Sequence, residues 1–300
     1  MLPTFLIIGA MKAGTTALYT LLGTHPEVYM SPVKEPNFFA FAGRDPNFQA
    51  PIDQQPHGIN NTSITDRAEY EALFAEADPS QARGEASHTS LYWPEAASNV
   101  ERLVPEARLI AILRNPVERA YSEYLHFRRD DEEPLTDFAA ALEAEAERIE
   151  AHWAMGRYVD RGRYDEQLQR YLDRFDREQV CVVLHEELVD EPEQVTRRLF
   201  RHVGVDPSFV PTFDRRVNKS GIPRQRIVHR LLTSLQPVRE ALDPVIPDAV
   251  VDWVVELKNR NLQKPTMDPA VRHRLIDTFR PHVERLETML DRDLQHWLRE

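Results

Sequence analysis

The chain has little cysteine, little lysine and no long apolar run. Cys181 is the only cysteine among its 300 residues. That excludes an internal disulfide and a cysteine-built metal cluster. No apolar run approaches the roughly 18 residues that a membrane-spanning helix needs, so no integral membrane segment is expected. The opening MLPTFLIIGAMKAG has a short apolar stretch without a basic lead-in, and it runs straight into a Gly/Lys loop. It does not read as a secretory leader, and a cytoplasmic location is expected. Of the 37 basic residues only five are lysines, namely Lys12, Lys34, Lys219, Lys258 and Lys264. Against the 37 stand 49 acids, for a net charge of −12. An acidic chain is a poor binder of nucleic acid, because a phosphate backbone demands a basic face. An anionic ligand would have to be held by a small, local basic site.

What is present is a globular composition, 42% hydrophobic and 29% charged, without repeats or low-complexity tracts. Three short apolar runs read as buried strands: FLIIG at 5–9, RLIAIL at 108–113 and VCVVL at 180–184. The segment 82–86 reads as a further short strand. Helical periodicity marks 15–24, 65–77 with Asp66 as its cap, 116–129 with Pro116 in the first turn, 135–155, 165–175 and 193–203. Residues 43–66, rich in Asp, Pro, Asn and Gln, read as a long loop or flap. Beyond Asp206 the pattern is helical and loop-like, closing with an amphipathic helix near 282–298. Strands alternating with helices predict an α/β fold, a central parallel sheet flanked by helices with a mostly helical C-terminal part. No linker splits it, so one domain over 1–300 is expected.

The motif with most chemical content is G-A-M-K-A-G-T-T, Gly9–Thr16. It lies between a strand and a helix and nearly matches the phosphate-binding pattern G-x-x-x-x-G-K-[ST]. Glycine permits the turn and the close approach of backbone, and the helix N-terminus then faces an anion. The departure is that Thr15 follows Gly14, while the lysine stands inside the loop at Lys12. A nucleoside-triphosphate site would also need an acid to hold Mg²⁺ at the end of the second strong strand. That position is Arg114. The pattern suits one phosphate group and an ammonium, with no metal ligand set.

Gly9–Thr16 resembles the 5′-phosphosulfate loop of sulfotransferases that use 3′-phosphoadenosine 5′-phosphosulfate (PAPS). LRNPVERAYSEY, Leu113–Tyr124, is similar to that family's 3′-phosphate motif. The resemblance runs from residue 5 to at least 190, is weaker to the end, and is nearer the bacterial and heparan-type branch. It implies the P-loop-like sulfotransferase fold, a PAPS donor leaving as adenosine 3′,5′-bisphosphate (PAP), and no metal. By the resemblance, Lys12 contacts the oxygen between sulfur and nucleotide, and Ala13, Gly14, Thr15 and Thr16 hold the 5′-phosphate. Arg114 and Ser122 match the 3′-phosphate ligands, Tyr164 lies near the adenine or serves as a core aromatic, and Lys219, Ser220 and Gly221 close over the 3′-phosphate. Lys34–Phe39, KEPNFF, resembles the segment that supplies a catalytic glutamate, which nominates Glu35 as general base. Phe38 and Phe39 are expected to wall its pocket and raise its pKa by desolvation. His88 is a second titratable group nearby, an acceptor contact, an alternative base or a structural histidine. Arg119 and Arg128 are expected to be solvated helix charges.

The expected reaction is sulfuryl transfer to a hydroxyl or amine of a carbohydrate, lipid or small-metabolite acceptor. The alternatives from other classes are a P-loop kinase or NTPase and a nucleotide-binding protein without catalysis. The net charge makes a short or neutral acceptor the better expectation than a long, highly sulfated one. The acceptor's identity and the oligomeric state are not written in the residues.

Overall fold

A computed structural model describes residues 1–211, 222–223, 262–263 and 265–299. Among the described residues, five parallel strands form the main sheet: β1 Phe5–Gly9, β2 Val28–Met30, β3 Ala82–Ala86, β4 Arg108–Leu113 and β5 Val180–Leu184, in the order β2-β3-β1-β4-β5. Phe5 lies in register with Gly84 on one side and Arg108 on the other. All five residues of β1 are buried. A continuous apolar run fits a central parallel strand, because helices cover both faces.

The three strong strands and the 82–86 strand stand where the sequence puts them. β2 was not anticipated, since the three residues VYM are too few to display a period. Helix α1, Thr15–Gly23, buries Leu18, Leu21 and Leu22. Asp66 caps Arg67–Ala72, accepting from the Glu69 N–H at 2.9 Å. The stretch expected as one helix over 135–155 is two short ones, Phe138–Glu143 and Glu145–Glu150. The closing helix begins earlier than expected and runs Pro269–Leu290, burying Leu275, Ile276, Phe279, Val283, Leu286 and Leu290. No described helix is long and apolar enough to cross a membrane.

The 43–66 stretch is no loose flap. Asn60 exchanges two hydrogen bonds with the backbone of Phe48, at 2.9 and 2.8 Å. Asp53 is 1% exposed and accepts from the Ala154 N–H at 2.8 Å. Phe41, Phe48 and Ile59 form a small second core beneath it with Trp93 packed alongside.

Arg119 and Arg128, expected in solvent, are buried at 0% and 8% exposure. Arg119 pairs with Glu123 at 2.5 Å and donates to the Tyr158 carbonyl. Arg128 donates to the Glu133 carbonyl at 2.6 Å. Helix 116–129 is buried on nearly every side, so its charges are satisfied inside the protein rather than by water.

Candidate active site

The Gly9–Thr16 loop leaves the carboxyl end of β1, between β3 and β4. In parallel sheets this is the end where ligands are bound. Gly14 has φ 117°, and a Cβ there would stand 3.1 Å from Ile112 Cδ1. Gly9 has φ 157°, and a Cβ would fall 2.7 Å from Leu91 Cβ. Both positions therefore demand glycine. Lys12 adopts φ 62°, a conformation costly for a side-chain-bearing residue and one that collects at functional sites.

Gly14 caps α1 without any side-chain hydrogen bond. The first-turn N–H groups have no partner within the helix, which leaves a ready anion site. The next helix differs. Pro116–Arg129 is capped by its own Asn115, whose Oδ1 accepts from Val117 N–H at 3.0 Å. Of the loop hydroxyls, Thr15 is buried and Thr16 exposed, and the Ala13 N–H is used within the loop, donating to the Ala10 carbonyl at 3.2 Å.

Burial, with Arg129 and Arg114 nearby, lowers the Lys12 ammonium to about 8, against the opposing pull of Glu123 and Asp130. Arg114, at the end of β4, donates from Nη1 to the Lys12 carbonyl at 3.2 Å. This bond joins the two sequence motifs. Ser122 is buried in the second turn of the following helix.

Glu35, in the loop after β2, has φ 61°. Its Oε1 is 2.5 Å from Lys34 Nζ and its Oε2 3.4 Å from His88 Nε2. Burial pushes the carboxyl up, but His88 and Lys34 more than offset this and hold it well below the usual carboxylate range. The expected rise does not occur. Phe38 and Phe39 do not wall the pocket either; they are 1% and 0% exposed and pack on Tyr70, Phe38 stacked on it at 4.1 Å.

His88 is 8% exposed, beside a small cavity lined by Ala10, Met11, Leu91, Tyr92, Arg161 and Gln167. Tyr164 is a core aromatic, 1% exposed with its ring edge-on to Trp297. Burial pushes its phenol up to about 12. Lys219, Ser220 and Gly221 lie outside the described residues, as do Lys258 and Lys264.

Four side chains were passed over in the sequence. His126 lies four residues after Ser122 and so on the same helix face, a spacing that could have flagged it. Its Nδ1 is 2.7 Å from Arg129 Nη2, and burial with Lys12 and Arg129 lowers it to about 3. Arg129 is itself clamped by both oxygens of Asp130, at 2.8 and 2.7 Å. Arg161 is 3% exposed, donates to Met11 Sδ at 2.9 Å and lies 4.8 Å over the Tyr92 ring. Glu85 on β3 is 1% exposed and accepts from Ser87 Oγ at 2.7 Å. Arg161 carries no local signal, because Met11 and Tyr92 are distant from it in sequence; the partners of the other three are local, and what the sequence does not show is their burial.

Among the described residues, one trio of potential metal ligands comes together, Asp165, Glu166 and His282. Arg285 Nε already occupies Asp165 Oδ2 at 2.6 Å, so the group reads as a helix-joining ion pair. A wide polar depression lined by Thr4, Glu27, Asp78 and Arg83 opens at the amino ends of the strands, away from every residue of the candidate site.

Comparison with known proteins gives consistent findings. Residues 3–209 match the model of a sulfotransferase family. The mouse protein named bifunctional heparan sulfate N-deacetylase/N-sulfotransferase 4 is 31% identical over 222 residues, covering 69% of this chain and 23% of that protein. Human carbohydrate sulfotransferase 15 is 30% identical over 161 residues, covering 42% of this chain and 27% of that protein. The chain thus spans about a quarter of the length of these relatives. The crystal structure of a sulfotransferase from Alicyclobacillus acidocaldarius is similar over 100% of both chains, at 34% identity and a TM-score of 0.77. The sulfotransferase domain from the curacin biosynthetic pathway shares the fold, at 15% identity and a TM-score of 0.50.

Proposed function

This chain belongs to the sulfotransferase family, and we propose on that footing that it moves a sulfuryl group from PAPS to a hydroxyl or amine of a carbohydrate, lipid or small-metabolite acceptor. The observation that carries the reading is the hydrogen bond from Arg114 to the Lys12 carbonyl. It makes one basic site of the two motifs that the donor's two phosphate ends require. The residues present fit that donor: an uncapped helix N-terminus and threonine hydroxyls for the 5′-phosphate, and a half-buried guanidinium for the 3′-phosphate.

In this reading Gly14, Thr15 and Thr16 cradle the 5′-phosphate, while Ala13, its N–H bonded to the Ala10 carbonyl, shapes the loop. Arg114 and Ser122 take the 3′-phosphate, with Lys219, Ser220 and Gly221 covering it and Tyr164 supporting the adenine side from the core. As the acceptor atom bonds to sulfur, its proton passes to Glu35. The bond from sulfur to the 5′-phosphate oxygen breaks, and charge gathers on that oxygen. Lys12 neutralises it there, where the stabilisation counts towards rate. Glu35, held below the usual carboxylate range, is ionised at neutral pH and takes the proton only as the acceptor bonds to sulfur, and His88 orients it. An ammonium suffices because a sulfuryl group carries less charge than a phosphoryl group. The transfer is therefore proposed as metal-independent, and the acceptor as glycan or small molecule.

The test is thermal stability of the purified chain with PAP in the absence of Mg²⁺. A ligand at 100 times its Kd adds about 2.7 kcal/mol to stability. Stabilisation by ATP–Mg²⁺ and not by PAP would sink the reading in favour of a kinase or NTPase.

A further inference from the structure

We propose that Ser87, backed by the buried Glu85, is the positioning residue of the Glu35 turn, fixing that carboxylate against His88 and Lys34 without touching the reacting atoms. The inference rests on the reading of Glu35 as the base.

Glu35 and Asn37, either side of Pro36, both have left-handed backbone, φ 61° and 57°. Two such residues so close together persist only where the surroundings over-determine them. Here the constraints come from β3 and its extension. The Glu35 N–H donates to the Ala86 carbonyl at 2.9 Å. The Asn37 N–H donates to Ser87 Oγ at 3.0 Å, and Asn37 Oδ1 accepts from Thr89 Oγ1 at 2.8 Å. Ser87 is tied to the central strand by its own N–H, which donates to the Ile7 carbonyl at 3.1 Å.

The direction of the chain follows from what each group can do. A backbone N–H only donates, so Ser87 Oγ is the acceptor from Asn37 and spends its single proton on Glu85 Oε2, 2.7 Å away. Ser87, Glu85 and Asn37 are 0%, 1% and 5% exposed, so water cannot replace any of these bonds. Glu85 is faced by Lys34 and Glu35 from the loop after β2, by Tyr70 from the 67–72 helix and by Tyr171 from the 164–172 helix. Glu35 is faced by Lys34, His88 and, from the 116–129 helix, His126. Burial and the Glu35 charge push the Glu85 carboxyl up to about 8, against Ser87 and Lys34. It keeps its proton at neutral pH and anchors Ser87 without placing a second negative charge beneath Glu35.

The test is carboxyl NMR on the full chain labelled with carbon-13 in its glutamates, with the Glu35 resonance assigned from Glu35→Gln. In the unaltered chain Glu35 stays ionised below the ordinary carboxylate range. In Ser87→Ala the turn relaxes, and Glu35 titrates at the ordinary value of roughly 4. Glu85→Gln, which keeps an uncharged acceptor for Ser87, preserves the low titration; Glu85→Leu, which removes the acceptor, loses it. Should Ser87→Ala fail to fold, the two Glu85 variants decide alone. An unmoved Glu35 titration in both Ser87→Ala and Glu85→Leu overturns the proposal, as does loss of the low titration in Glu85→Gln. PAP binding by the same samples is expected to be unchanged. Absence of PAP binding in the unaltered chain would refute the nucleotide-site reading separately, since the titration does not depend on it.

Discussion

Arg114 reaches across 102 residues of sequence to donate a hydrogen bond to the carbonyl of Lys12, at 3.2 Å. The guanidinium at the end of β4 thereby holds the loop at the end of β1, and each motif orients the other. A change at either residue should be felt at both ends of a bound nucleotide.

Lys12→Ala is expected to lower sulfuryl transfer by ~10²-fold or more, the usual loss when a transition-state donor is removed. PAP binding should fall less. In the unaltered chain Lys12 titrates at about 8, so transfer should decline as pH rises through that value. Stability moves the opposite way. The unfolded chain holds this proton to about 10.5 and the folded chain only to about 8, so the folded state gains stability between the two. A kcat profile alongside Tm from pH 7 to 10 reads both signs. An alkaline limb that persists in a variant lacking Lys12 would assign it elsewhere.

Arg114→Ala removes a charge-assisted phosphate contact worth about 1.5–3 kcal/mol, or roughly 10- to 100-fold in affinity. Calorimetry should show PAP binding weakened by that factor. Adenosine 5′-phosphate, which lacks the 3′-phosphate, should lose affinity by a smaller factor, since for it only the hold of Arg114 on the loop is gone. Equal losses for both nucleotides would mean that Arg114 acts only through the loop.

Glu35→Gln keeps shape and removes the proton acceptor. PAP binding should be retained while transfer to any acceptor collapses. Because His88 and Lys34 hold the carboxyl below the ordinary range, its ionised form persists in the folded chain as pH falls through that range; its share of stability is full above the ordinary value and declines from there downward, as the unfolded chain takes up the proton first. Transfer by the unaltered chain should therefore show no acid limb near pH 4 to 5. Full activity in Glu35→Gln would hand the base role to His88.

Arg119→Ala leaves Glu123, at 0% exposure, with only its longer pair to Arg161 at 3.9 Å. Breaking a buried pair from one side costs roughly 3–5 kcal/mol, and in a chain of this size that is a Tm drop of roughly 10 °C. The double variant Arg119→Met, Glu123→Leu should recover part of the loss, since it removes both members of the 2.5 Å pair; Arg161, 3.9 Å from Glu123, then keeps only its bonds to neighbours such as the Ala154 carbonyl. If the double variant is as unstable as the single one, packing rather than charge governs the site.

Much of this was legible before any coordinates. The apolar runs at β1, β4 and β5 are buried on both sides and therefore unbroken, so they announce themselves. The two glycines, the displaced Lys12 and the Arg114 that closes β4 lie within local motifs, and local motifs survive in sequence. Burial and contact across the fold do not. Arg119 and Arg128 look like surface charges in a helix of mixed character, and nothing local says that Glu123 and a carbonyl from residue 133 will enclose them. Glu35 was expected to be pushed up by Phe38 and Phe39. Instead those rings turn into the core around Tyr70, and the groups that decide its charge are Lys34 and a histidine 53 positions away.

The scarcity of lysine was a fact of composition, and the loop spacing alone put Lys12 in a phosphate cradle. Backbone preference and hydrophobic period act over a few residues, so the sequence by itself determined every strand but β2, the cradle and the order of the motifs. Only the tertiary structure decided what those residues are worth chemically. It set Lys12 near 8, held Glu35 ionised and kept a proton on Glu85. The reason is that charge and solvation are set by whatever lies within a few ångströms, and the parallel sheet fills that space with side chains from strands and helices far apart in the chain.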